Sequence, residues 1–215
     1  MRDQDIHKIV QILRKEVRQW RVPVVGHYSR SPFAVLISCL LSLRTQDKAT
    51  GEASARLFRL AKTPHTMAKL PAATIEKVIY PVGFYKTKAR NIKKICRMLL
   101  SEYRERVPDD IDDLLKLPGV GRKTANLVVT LGYNKPGICV DTHVHRITNR
   151  WGYVQTKTPE MTETALRSKL PERYWMIVND LLVTYGQNIC KPISPFCSQC
   201  KILRYCERVG VIKSR

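Results

Sequence analysis

The sequence predicts an all-α protein. Apolar residues recur at helical spacing in one segment after another, and no stretch alternates as a convincing strand. Ser-Pro, Thr-Pro and Gly punctuate the segments without a low-complexity tract or a flexible linker. At 215 residues the chain is long enough for one large domain or two small ones, and it can bury a core without disulfides.

Residues 3–20 carry Ile6, Ile9, Val10, Leu13, Val17 and Trp20 on one face, with Lys8, Arg14, Lys15 and Arg18 around it. This is an amphipathic helix that Asp3 is placed to cap, and its basic face is either a ligand-facing surface or a solvated one. Pro23 and Gly26 break it. Ser31-Pro32 supplies an N-cap and a first-turn proline for a helix from Phe33 to Leu43, apolar almost all round and so expected to be buried. Polar residues then replace apolar ones in Ser42-Leu43-Arg44-Thr45-Gln46-Asp47, where Asp47 is placed to cap a helix from Lys48 to Leu60. Arg44 and Gln46 either contact a ligand or merely solvate this loop.

Thr63-Pro64 opens a short helix, and Ala73 to Tyr80 forms another before the turn Pro81 to Tyr85. From Lys86 to Tyr103 the pattern places Ala89, Ile92, Cys96, Leu99 and Tyr103 inward. Lys86, Lys88, Arg90, Lys93, Lys94 and Arg97 fall largely outward. Gly83 to Ala89 faintly echoes the hairpin described next and offers a second backbone-amide seat for phosphate.

The stretch from Asp109 to His143 organises the chain. Ile111, Leu114, Leu115 and Leu117 are helically spaced behind the acids Asp109, Asp110, Asp112 and Asp113, which the helix macrodipole favours at that end. Pro118 ends this helix, Gly119 and Gly121 permit a tight hairpin with positive φ, and Ala125, Leu127, Val128, Val129 and Leu131 begin a second helix closed by Gly132. The result is a helix-hairpin-helix. The backbone N–H groups of Gly119, Val120, Gly121 and Arg122 converge at the second helix start, a seat that holds a phosphate backbone without reading its sequence. The alternative is an ordinary turn between packed helices, and Lys123, one turn inside the second helix, argues for the phosphate seat.

Asn134-Lys135-Pro136-Gly137 is a turn, Ile138-Cys139-Val140 a short extended run, and Asp141 caps a helix to Trp151. Thr158-Pro159 and Pro171 start two more, the last with Tyr174, Ile177, Val178, Leu181, Leu182 and Tyr185 as its buried stripe and Gly186 as its stop. Trp20, Trp151 and Trp175 are expected in the core.

A net charge of +20, from 38 Lys and Arg against 18 Asp and Glu, is the footprint of a protein that meets nucleic acid. The polar N-terminus is no secretory signal, no stretch approaches a membrane span, and an intracellular compartment is expected. Seven cysteines do not form a secreted disulfide framework, because four fall together as Cys190-x6-Cys197-x2-Cys200-x5-Cys206. A thiolate quartet binds zinc or an iron–sulfur cluster, and residue chemistry alone leaves both open. Cys39, Cys96 and Cys139 lie in apolar runs as small hydrophobes, and His143 and His145 suit packing or capping.

On the hairpin, Lys123 and Val140-Asp141-Thr142-His143, together with the cysteine spacing, the chain resembles the endonuclease III family of DNA glycosylases. The family motif, Leu-Pro-Gly-Val-Gly with a lysine two residues on and then Val-Asp-Thr-His, matches at Leu117 to Asn126 and at Val140 to His143. The likeness extends from about Ser31 to Cys206. It implies the helix-hairpin-helix DNA glycosylase fold, with a six-helix domain over residues 23–135 and a discontinuous helical domain of residues 1–22 plus 136–215. An active-site cleft would lie between them, with Lys123 on one side and Asp141 on the other.

The resemblance further implies a 4Fe-4S cluster held by Cys190, Cys197, Cys200 and Cys206, and DNA contacts from Arg44, Gln46, Gly119, Val120, Gly121, Arg122 and Lys191. Two departures stand out: the family usually has glutamine where Arg44 stands, and Lys191 is the one basic residue between the first two cluster cysteines.

The implied activity is base-excision repair by a bifunctional DNA glycosylase and AP lyase that acts, as a monomer in the cytoplasm, on damaged or abasic double-stranded DNA. Oxidised pyrimidines would be released and the abasic site cleaved by β-elimination. A flipped nucleotide exposes C1′, where Lys123 would attack and form a Schiff base on the opened sugar, with Asp141 as proton acceptor and stabiliser of positive charge. A lysine of ordinary pKa is neutral in only about 0.04% of molecules at pH 7, so some activation is required, and Arg122, partial burial and the helix N-terminus are candidates for it. Two rivals are a mismatch-specific glycosylase of the same superfamily, which would lack Lys123, and a non-catalytic DNA-binding module with a structural metal. An adenine-specific relative would carry a further C-terminal domain, whereas this chain stops nine residues after Cys206.

Overall fold

A computed structural model of the protein describes residues 3–20 and 31–215, so the expected break at Pro23 and Gly26 lies outside the described residues. Among the described residues there are eleven α-helices and no strand. The chain divides into two units, one of Val24–Gly137 and one in which Met1–Pro23 joins Ile138–Arg215.

The contiguous unit is built around α2 (Pro32–Ser42), in which Phe33, Val35, Leu36, Ile37, Cys39, Leu40 and Leu41 are all buried. Ser31 Oγ accepts from the Ala34 N–H at 3.3 Å, which fixes the start of the helix. Each large side chain buried here contributes roughly 1.5–3 kcal/mol, so the apolar run specifies a central helix. It packs against α3 (Asp47–Leu60), α6 (Tyr85–Ser101) and α8 (Arg122–Leu127). Between these come α4 (Pro64–Lys69), opened by a reciprocal capping box of Thr63 and Thr66, and α5 (Ala72–Ile79). Asp47 does not cap α3. It lies inside the first turn, and Gln46 at the cap position makes no side-chain bond.

Helix α6 departs from its sequence pattern at one residue. Lys88, expected outward, is only 6% exposed, because its long stem lets the ammonium reach carbonyls on another segment. Helix α7 (Ile111–Lys116) is capped by Asp110 Oδ1, which accepts from the N–H groups of Asp112 (2.8 Å) and Asp113 (3.2 Å). Beyond Leu127, α8 widens into a π-helical turn over Val128–Gly132, against which Pro32 at the start of α2 packs closely at Gly132.

In the discontinuous unit, α1 (Ile6–Glu16) buries Ile6, Ile9, Val10 and Leu13 in one core with Val144, Ile147, Trp151, Leu166, Leu182 and Tyr185. Asp3 does not cap α1. A 3-10 turn, Asp3–Asp5, comes first, and Asp3 pairs instead with Lys169 at 3.2 Å. The remaining helices are α9 (Thr142–Arg150), α10 (Pro159–Lys169) and α11 (Trp175–Asn188). Gly186 does not stop α11. The helix continues through it, because the missing Cβ admits His143 and Arg146 of α9, so this glycine serves helix packing. Trp151 is buried, whereas Trp20 and Trp175 pack partly buried against the core.

Candidate functional site

The hairpin between α7 and α8 is closed by the Val120 N–H donating to Leu117 O at 3.1 Å, with Val120 itself buried as a pin. Gly119 has φ +82, a conformation that side chains disfavour, and a Cβ there would meet Asn91 Nδ2 at 2.6 Å. Gly121 does not have the positive φ expected of it. Its backbone is extended (φ −104, ψ 176), and a Cβ would find nothing within 4 Å. Gly121 therefore leaves open space in front of the α8 N-terminus, which carries no side-chain cap. A helix start beside open space, with no side-chain cap, suits a phosphate oxygen.

Arg122 and Lys123 follow immediately, both exposed on the first turn of α8. Exposure of Lys123 departs from the partial burial expected of it. Behind it lies Cys39 of α2, fully buried; burial pushes its thiol up to about 12, and the Lys123 charge opposes that rise. Cys39, Cys96 and Cys139 are all buried and unbridged.

The loop between α2 and α3 exposes Arg44 and Gln46. Arg44 takes a left-handed φ of 52, and its guanidinium carbon lies 5.6 Å from the centroid of the Phe84 ring. Phe84, also left-handed at φ 56, is 64% exposed and Tyr80 is 62% exposed. Neither aromatic was singled out in the sequence; the signal available was an aromatic directly after Gly83, just ahead of the lysines that begin α6. Such rings suit stacking on nucleic-acid bases.

In the discontinuous unit, Asp141 is the N-cap of α9, its Oδ1 accepting from the N–H groups of His143 (2.8 Å) and Val144 (2.9 Å). The Asn179 side chain donates to Cys139 O at 3.4 Å, steadying the segment just before it. Asp180 of α11 is held above the usual carboxylate range by burial and by the charge of Asp141, a neighbour the helical pattern did not reveal. His143 bonds Arg146 (3.0 Å) and His145 bonds Thr162 (2.7 Å), so both histidines serve packing networks.

Cys190, Cys197, Cys200 and Cys206 line a single pocket with Arg150 and Tyr185. Arg150 donates to Cys190 Sγ (3.4 Å) and to the carbonyls of Lys191 (2.7 Å) and Pro192 (2.6 Å), and the Tyr185 hydroxyl donates to Cys200 Sγ (3.2 Å). Lys191 is half-buried, its ammonium 5.1 Å from the Phe196 ring centroid. Among the described residues no group of His, Cys, Asp or Glu is arranged to hold a metal ion directly. The four thiols facing one pocket suit either a zinc ion or an iron–sulfur cluster, both of which thiolate quartets bind. Among the described residues no helix is long and apolar enough to cross a membrane.

Residues 37–172 match the family described as HhH-GPD superfamily base excision DNA repair protein. Over 182 residues the chain is 49% identical to Endonuclease III of Thermotoga maritima, with 85% of each chain covered. It superposes on the protein of a non-covalent Endonuclease III–DNA complex with a TM-score of 0.87 at 35% identity, covering 97% of this chain and 96% of that one. The protein of a trapped Endonuclease III–DNA covalent intermediate gives the same TM-score and identity, over 99% and 100%.

Proposed function

The chain belongs to the HhH-GPD superfamily of base excision DNA repair proteins, and from that membership we propose that Lys123 is its nucleophile and Asp141 its acid–base partner. Like the Endonuclease III relatives, it is a bifunctional DNA glycosylase and abasic-site lyase that works on duplex DNA. The observation that carries the reading of the site is the position of Lys123, exposed on the first turn of α8 directly behind the Gly119–Gly121 hairpin.

The Lys123 amine attacks C1′ of an extruded nucleotide, the bond from C1′ to the base breaks, and the sugar ring opens to a Schiff base with the lysine. The iminium acidifies the 2′ proton; its loss expels the 3′ phosphate, cutting the strand by β-elimination. Asp141, fixed by its two backbone bonds, accepts a proton and stabilises positive charge on the sugar. The hairpin seats the phosphate backbone through Gly119, Gly121 and Arg122, whereas the Val120 N–H, expected in the same seat, is spent on Leu117 O inside the hairpin; Lys191 adds charge, and Arg44 with Gln46 reaches into the duplex. The presence of Lys123 disfavours a mismatch-specific glycosylase of the same superfamily.

The four cysteines fit a 4Fe-4S cluster, because all four line one pocket with donors aimed at two of the sulfurs. Such a cluster, when bound, would cross-link residues 190–206 and supply a redox-active centre. We infer oxidised pyrimidines as the substrates and an intracellular site of action, where DNA is found and thiolates stay reduced. A nicking assay on a panel of single-lesion duplexes tests the substrate assignment: cleavage at oxidised pyrimidines is expected, and cleavage confined to mismatched normal bases would contradict it.

A further inference from the structure

Lys88 lies on the basic face of α6, yet its Nζ is turned inward and donates to Leu41 O (2.8 Å), Leu43 O (2.5 Å) and Thr45 Oγ1 (3.1 Å). An ammonium has three hydrogens and no acceptor, so these three bonds use all of it. Two of the acceptors are carbonyls where α2 ends, a place where carbonyl oxygens lack helical partners and the macrodipole favours a cation. Burial works against the charge, pushing the Lys88 pKa down to about 8.

The same loop is tied to a second one. Thr45 Oγ1 also accepts from the Gly83 N–H at 3.2 Å, and a Cβ on Gly83 would come within 2.7 Å of Arg44 O. Arg44 and Phe84, the exposed pair, thus stand on two loops joined through Thr45, with Lys88 beneath. A left-handed Arg44 persists only where its surroundings fix it.

We propose that Lys88 is the positioning residue of the Arg44 loop: it touches no DNA, but by fixing the backbone from Leu43 to Thr45 it aims Arg44 and Phe84 together at the space an extruded nucleotide leaves. The inference rests on the glycosylase reading above.

The test uses the full chain, with Lys88→Met, Arg44→Ala and the double variant, and measures binding to two duplexes of one sequence, one intact and one carrying a tetrahydrofuran abasic analogue. Lys88→Met is expected to weaken binding to the abasic analogue about tenfold while leaving intact-duplex affinity within about twofold, the size of loss that follows when charge-assisted bonds no longer fix a contact, and Arg44→Ala should weaken binding to the abasic analogue at least as much. The double variant should lose less than the two single effects added together, because Lys88 acts in part through Arg44 and otherwise through Phe84. Equal losses on both duplexes, or a Lys88→Met effect that adds in full to Arg44→Ala, would overturn the proposal. If Lys88→Met does not fold, Thr45→Ala, which removes one of the three bonds, carries the same comparison. Borohydride trapping of the wild-type chain on an abasic duplex is read in parallel. Trapping with the wrong variant pattern sinks this inference alone, and no trapping sinks the glycosylase reading with it.

Discussion

Asp141 Oδ1 lies 2.8 Å from the backbone nitrogen of His143, so the carboxylate proposed for proton transfer is also the cap that starts α9. The two roles separate by substitution. Asparagine keeps an oxygen acceptor at the cap but loses charge and basicity. Asp141→Asn is expected to fold normally and turn over about 100- to 10,000-fold more slowly, whereas Asp141→Ala should also lose about 1 kcal/mol of stability. Single-turnover rates and urea denaturation of the two variants check this; a fast Asp141→Asn would remove Asp141 from the chemistry.

The two hairpin glycines should fail in different ways. Gly119→Ala forces a side chain into φ +82 and against Asn91, and is expected to cost about 1–3 kcal/mol of folding stability. Gly121→Ala meets no protein atom within 4 Å and should leave stability unchanged while weakening duplex binding, since the methyl group occupies the space a phosphate would approach. Thermal melting and DNA affinity together decide it. A Gly121→Ala protein that binds DNA as well as the parent contradicts the phosphate seat.

Anaerobically purified protein is expected to be yellow-brown, with about four irons per chain. Cys206→Ser should lose iron and solubility together, since Cys206 lines the pocket against the Trp151–Tyr185 core. Zinc without iron on elemental analysis would contradict the cluster.

Lys88 gives a pH signature. Its folded pKa, near 8, lies below the ordinary lysine value of 10.5, so between those values the unfolded chain binds more protons and stability contributed by this group rises with pH. Below pH 8 the burial penalty is at its full size. Wild-type stability minus that of Lys88→Met should therefore climb from pH 8 toward 10.5 in denaturant titrations; a flat difference would mean that Lys88 is not buried as described.

Features set by neighbouring residues were legible in the sequence. Ser31, Thr63, Asp110, Asp141 and Thr158 each cap the helix that follows because the acceptor and the amides it serves lie within three residues. The all-round apolar run of α2 could only be buried. What escaped was set at long range. Lys88 finds its acceptors more than forty residues upstream, Gly186 owes its identity to His143 and Arg146 on another helix, and the pairing of Arg44 with Phe84 joins two separate loops. At Gly121 residue type was no guide to geometry, since its backbone is extended beside open space and not in the turn conformation that a glycine suggests.

The central claim is that Lys123 is the nucleophile, and borohydride trapping tests it most directly. Wild-type protein mixed with abasic-site duplex and reductant should form a covalent protein–DNA band, because reduction fixes the Schiff base as an amine. Lys123→Gln keeps the length and polarity of the side chain without a reactive amine, so the band and strand cleavage should vanish while duplex affinity survives. A Lys123→Gln protein that still traps and cleaves at the parent rate would place the nucleophile on another amine and contradict the site.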